Sequence, residues 1–161
     1  MGSSSSKFPP LIPRKEPLDL QAFMGSWWVI SCIPTYFEKG AHNSLEEYSW
    51  DEKKQEIQIK FSYNSGSFDA KRSTIGQKGW LHNDAKTEWR ISPFWPVKLP
   101  YIILEADESK YCVIGYPSRE YLWIMSREKT LDETLYNEIL GRLKTDHAYD
   151  LKDLYVVPHQ Q

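Results

Sequence analysis

Between Trp27 and Arg127, short apolar-rich runs alternate with clusters of turn-forming residues. Runs near 26–34, 45–50, 55–63, 68–80, 86–92, 101–106, 110–116 and 120–127 read as strands. The breaks between them include Asp51-Glu52-Lys53-Lys54, Asn64-Ser65-Gly66, His82-Asn83-Asp84, Asp107-Glu108-Ser109 and Pro117-Ser118-Arg119, all rich in residues that tolerate turn geometry. Eight strands joined by short hairpins can close on themselves and leave no edge, and an eight-stranded barrel is about the size that holds one small ligand. The period then changes. Thr130-Leu131-Asp132-Glu133 fits a capping box with Thr130 as the cap. Leu131, Leu135, Ile139 and Leu143 follow at helical spacing, which predicts one amphipathic helix of about 14 residues. A last apolar piece, Leu154 to Val157, ends before Pro158. The expected fold is all-β: an eight-stranded antiparallel up-and-down β-barrel with one C-terminal α-helix packed outside.

The chain divides into a tail, residues 1–17, and a domain, residues 18–161. The tail carries Ser3 to Ser6 and then Pro9, Pro10, Pro13 and Pro17, which preclude a helix or central strand and predict a flexible extended segment. Its first residues, Met1-Gly2-Ser3-Ser4-Ser5-Ser6-Lys7, fit the N-myristoylation pattern with Gly2 as the acyl acceptor, and equally fit a serine-rich leader of cloning origin.

Composition narrows the function. A formal charge of −2 gives no reason to propose a nucleic-acid partner. The aromatic share of 14%, with seven Trp and ten Tyr, suits both strand packing and an apolar pocket. No stretch approaches the ~20 apolar residues of a membrane-spanning helix. The N-terminus lacks the apolar core of a secretory signal, and Cys32 and Cys112 are too few for a disulfide framework. These features predict a cytoplasmic protein, attached to the cytoplasmic face of a membrane if Gly2 is acylated. His42, His82, His147 and His159 are scattered, and no H-E-x-x-H, G-x-S-x-G or C-x-x-C occurs. No cofactor and no metal are expected.

Gly25-Ser26-Trp27 opens the first strand, and Arg127 closes the last in Tyr121-Leu122-Trp123-Ile124-Met125-Ser126-Arg127. This pairing resembles the lipocalin signature. Ser92-Pro93-Phe94-Trp95-Pro96-Val97-Lys98-Leu99-Pro100-Tyr101 and Gly115-Tyr116-Pro117-Ser118-Arg119-Glu120 resemble one branch of that family: bacterial outer-membrane lipocalin, plant temperature-induced lipocalin and apolipoprotein D. The resemblance covers about residues 18–158. It implies a cup whose closed end is held by Gly25, Trp27 and Arg127, the guanidinium lying over the indole in a cation–π contact. It also implies a mouth rimmed by the first loop (about 35–44), the Phe94–Pro100 loop and the Pro117–Arg119 loop.

Strand alternation then assigns faces. With Trp27 and Arg127 inward, Val29, Ser31, Tyr121, Trp123 and Met125 are the candidate ligand-binding residues. Trp28, Ile30 and Cys32 point outward, and Leu122 and Ile124 point outward beneath the helix. Cys32 and Cys112 fall on strands separated by a third, about 9.6 Å apart, beyond the reach of a disulfide, so both are expected as free thiols. Phe94, Trp95 and Leu99, stiffened by prolines, form either an interaction surface or an inward-folded cover for the mouth. The candidate partners for such a surface are a membrane and a second copy of the chain, pairing through the 93–100 loop. The expected function is to hold a small hydrophobic ligand, a fatty acid, lysophospholipid or similar molecule, without catalysis. The alternative is a lipocalin-like enzyme, an isomerase or de-epoxidase, acting on a lipid. An intracellular fatty-acid-binding protein needs a helical pair between its first two strands, and residues 35–44 are too short for one.

Overall fold

The structure, a computed structural model, describes residues 7–161; Gly2 lies outside the described residues. Nine strands form one antiparallel sheet: β1 (Gly25–Ile33), β2 (Ala41–Asp51), β3 (Glu56–Ser65), β4 (Arg72–Leu81), β5 (Glu88–Ser92), β6 (Leu99–Asp107), β7 (Tyr111–Gly115), β8 (Leu122–Ser126) and β9 (Tyr155–Val156). The order is β2-β3-β4-β5-β6-β7-β8-β1-β9, and β1 also pairs with β2, so the first eight strands close into a barrel. The short β9, read from the sequence only as an apolar terminal piece, extends β1 on the outside.

Alternation sorts the apolar residues into two cores. Ile57 and Ile59 on β3, Tyr101 and Ile103 on β6, Cys112 and Ile114 on β7 and Met125 on β8 point into the barrel. Ile102, Leu104, Val113, Leu122 and Ile124 point out, beneath helix α2 (Glu133–His147), whose Ile139 and Leu143 are fully buried against them. This explains why β6 to β8 are apolar on both faces. The helix starts two residues later than the capping box suggested. Asp132, not Thr130, is the cap, accepting a hydrogen bond from the Leu135 N–H at 2.9 Å. The Thr130 carbonyl instead accepts from Ser126 Oγ at 3.0 Å.

The predicted alternation fails at one place. A β-bulge between Val29 and Ser31 inserts one residue into β1 and reverses the faces beyond it. Ser31 therefore turns outward, where its hydroxyl accepts from Tyr136 Oη of α2 at 3.0 Å. Cys32, expected outside, joins the interior. Both cysteines are buried free thiols.

The tail also differs from the expected free segment over residues 8–17. Leu11 is buried in the outer core. The Arg14 N–H donates to the Ile103 carbonyl at 2.9 Å, and its guanidinium reaches the Ala106 and Pro17 carbonyls and Glu108. An apolar side chain with somewhere to go and a guanidinium with several acceptors offset the entropy of ordering these residues. The segment runs up the outer wall from the closed end. It reaches Phe8, over which Arg119 of the β7–β8 loop lies at 5.3 Å.

Candidate functional site

The two ends of the barrel are built differently. At the closed end a one-turn helix, α1 (Leu20–Phe23), is capped by Asp19 and inserts Phe23 between Trp27, Tyr48 and Trp89, at ring-centre distances of 5.1, 5.7 and 5.4 Å. The Arg127 guanidinium lies 3.7 Å from the Trp27 ring centre and donates to the carbonyls of Ala22, Phe23, Met24, Ser26 and Glu108. Gly25 sits at φ +99°, where a side chain would be strained, and a Cβ there would stand 3.4 Å from Arg127 Nη1. The closed end is thus a packed plug with no room for a ligand.

Above the plug the barrel holds a cavity of about 570 Å³, within the range of pockets that enclose one small ligand. Tyr121, Trp123 and Met125 line it, together with Ile59, Phe61, Ile75 and Ile91 on the opposite wall. Val29 points into the barrel but is completely buried in the packing around the plug and does not reach the cavity. Ser31, turned away by the bulge, does not reach it either. At the mouth, Phe94 and Leu99 line the opening, while Trp95 stands 77% exposed. The 93–100 loop therefore neither folds fully inward nor stands fully clear. Tyr36 and Phe37, from the connection between β1 and β2, join the same rim and are also exposed.

Two acidic residues that the sequence reading did not select sit in this apolar space. Thr35-Tyr36-Phe37-Glu38 is a capping box on a single 3-10 turn, and it folds Glu38 inward. The Glu38 Oε1 accepts from the Thr35 N–H at 3.2 Å and from the Thr35 hydroxyl at 2.7 Å, and Oε2 accepts from Trp123 Nε1 at 2.8 Å. Burial still holds the Glu38 carboxyl above its ordinary pKa, against the pull of those donors. Glu46, on β2 opposite Trp27, also lines the cavity. Its Oε2 is buried without a hydrogen-bond partner, and the residue lines the cavity. Burial, with Glu38 adding to it, pushes this carboxyl well up. Deeper still, the Tyr48 and Tyr101 hydroxyls meet at 2.9 Å, and burial raises both. None of the lining residues is basic. The charged chemistry of the cavity, among the described residues, is thus acidic.

Comparison with known proteins gives one family. The model of the lipocalin-like domain matches residues 18–159. Temperature-induced lipocalin-1 of Arabidopsis thaliana is 24% identical over 149 residues, covering 88% of this chain and 79% of that protein. Outer membrane lipoprotein Blc of Escherichia coli K12 is 25% identical over 134 residues, covering 83% and 75%. Apolipoprotein D of Macaca fascicularis is 28% identical over 161 residues, covering 92% and 80%. Among solved structures, insecticyanin of the tobacco hornworm Manduca sexta superposes with a TM-score of 0.69 at 21% identity, covering 96% of this chain and 89% of that one.

Proposed function

The chain belongs to the lipocalin family, and from that premise we propose that it carries a single-chain lipid, of the fatty-acid or lysophospholipid kind, and exchanges it at a membrane surface. The observation that carries this reading is one cavity of about 570 Å³ with a mostly apolar wall, opening between exposed aromatic residues. An acyl chain gains roughly 0.8 kcal/mol for each methylene it takes out of water, so an apolar wall is sufficient for affinity. The rim supplies the membrane contact. Tyr36, Phe37, Phe94 and Trp95 surround the mouth, and amphipathic aromatic rings favour the bilayer interface.

The tail adds a second support. Phe8, near the start of its described part, lies beside the β7–β8 loop at the same rim. The described tail therefore begins on the mouth side. One myristoyl chain binds a bilayer only marginally, so the rim and an acyl group on Gly2 would act together, on the cytoplasmic leaflet. A lipid could then pass between bilayer and cavity without crossing water.

Two measurements test this. Lysophosphatidylcholine or oleate should change tryptophan emission with saturation at one site, and Trp123→Ala should weaken the response. The parent should sediment with phosphatidylserine-containing vesicles, and Phe94→Ser/Trp95→Ser should release it; in cells, Gly2→Ala should move protein to the soluble pool. Absence of saturable binding by any apolar ligand would overturn the cavity reading. Unchanged sedimentation of the double variant, with loss of a dimer by light scattering, would assign the rim to a second copy of the chain instead.

A further inference from the structure

Carboxyl groups are costly to enclose in an apolar space unless something satisfies them. Glu38 is satisfied, with three donors on its two oxygens. Glu46 is not. Its Oε2 is enclosed without a partner, the side chain lines the cavity, and among the described residues no Lys, Arg or His lines that cavity to neutralise it. Around it stand Glu38 from the 3-10 turn, Tyr48 from its own strand, Tyr101 from β6 and Cys112 from β7. Every one of these groups is neutral or negative when it titrates. The plug below holds the cation Arg127, but its hydrogen bonds go to backbone carbonyls at the closed end.

The complement of this site is a hydrogen-bond donor carrying positive charge. We propose that, among single-chain lipids, the cavity selects a long-chain primary amine, whose ammonium docks on Glu46 with its chain running toward the mouth, over a carboxylate of the same length. The proposal rests on the reading of the cavity as a single-chain lipid site and names the head group it favours. An ammonium entering beside two acids gains a charge-assisted hydrogen bond to an ionised Glu46, whereas a carboxylate there finds neutral donors but no positive charge. Burial, with Glu38 beside it, shifts the enclosed and unpartnered Glu46 carboxyl toward its protonated form before binding. Docking of the ammonium then favours the carboxylate, and the proton that Glu46 carried leaves to solvent. A neutral alcohol of equal length donates to the same carboxyl and moves no proton.

The test compares dodecylamine, dodecanol and dodecanoate at pH 7, each below its micellar concentration, by tryptophan emission and by calorimetry in two buffers of different ionisation enthalpy. Dodecylamine should bind about tenfold tighter than dodecanoate, with a proton release that dodecanol does not show. Glu46→Gln should erase the preference for amine over carboxylate and abolish the proton release, while dodecanol affinity changes less than about threefold. A thermal melt of Glu46→Gln establishes that the barrel is intact, and Glu46→Leu supplies a second variant with the same expected loss. Equal or tighter binding of dodecanoate by the parent, or a preference untouched by both substitutions, would overturn the proposal and leave the lipid reading standing. Failure of all three probes to saturate would overturn both.

Discussion

The closed and open ends of this barrel are made from the same kinds of side chain and put them to opposite uses. At the closed end Phe23, Trp27 and Trp89 are fully buried, the Phe23 ring in contact with both indoles, and the indole nitrogens of both tryptophans donate to backbone carbonyls. At the open end Tyr36, Phe37, Phe94 and Trp95 are mostly exposed. Composition does not separate the two. Connectivity does: α1 and Arg127 give the lower aromatics a lid and a set of hydrogen bonds, whereas the upper aromatics lie on loops around a space left unfilled. Stability should therefore be concentrated below and binding above, and substitutions can pull the two apart.

The largest effect is expected from Arg127→Ala. It removes a cation–π contact worth about 1–2 kcal/mol and leaves carbonyls of α1 and its flank without a donor. A loss of about 3 kcal/mol, seen as a fall of roughly 6–12 °C in Tm, should leave ligand preference unchanged. A variant as stable as the parent would break the division between the ends.

Glu46→Gln sharpens it in the other direction. In the unfolded chain this carboxyl ionises near pH ~4.3; in the folded barrel burial moves it well above that. Between the two values the folded state binds the extra proton, so stability falls as pH rises through that window. The amide has no such window. Glu46→Gln should therefore raise Tm by about 2–4 °C at pH 8 and by less at pH 5. A gain independent of pH would place the cost elsewhere.

The smallest effect is expected from Phe94→Ser/Trp95→Ser, both on an exposed loop. Stability should change by no more than about 0.5 kcal/mol, even though the same change is expected to abolish sedimentation with vesicles. A clear loss in Tm would mean that the rim is part of the folded core.

What could be read from the chain follows the same line. Trp27, Arg127 and the strand rhythm announce the closed end because that end is made of one fixed pairing of residue types, a guanidinium over an indole. The cavity was harder. The bulge in β1 has no marker in Val29-Ile30-Ser31, yet it decides that Ser31 meets Tyr136 and that Cys32 turns inward. Glu46 was masked by its neighbours. In Leu45-Glu46-Glu47-Tyr48 the residue facing the cavity is an acid, and only the step of two from the inward Tyr48 would have found it. Glu38 did carry a signal, the capping box Thr35-x-x-Glu38, which is as legible as the one at Thr130 that the structure replaced with Asp132. The tail is more ordered than its prolines imply because the apolar Leu11 finds a place in the outer core.

The two inward thiols have a use that neither lipid nor membrane enters into. Cys32 neighbours Glu38 under the mouth, and Cys112 lies toward the plug, electrostatically coupled to Arg127. Both are buried, and burial keeps both in the unreactive thiol form. An alkylating reagent can reach either only when that part of the wall opens. The pair amounts to two clocks in one molecule, one timing how often the mouth breathes and the other how often the base comes apart.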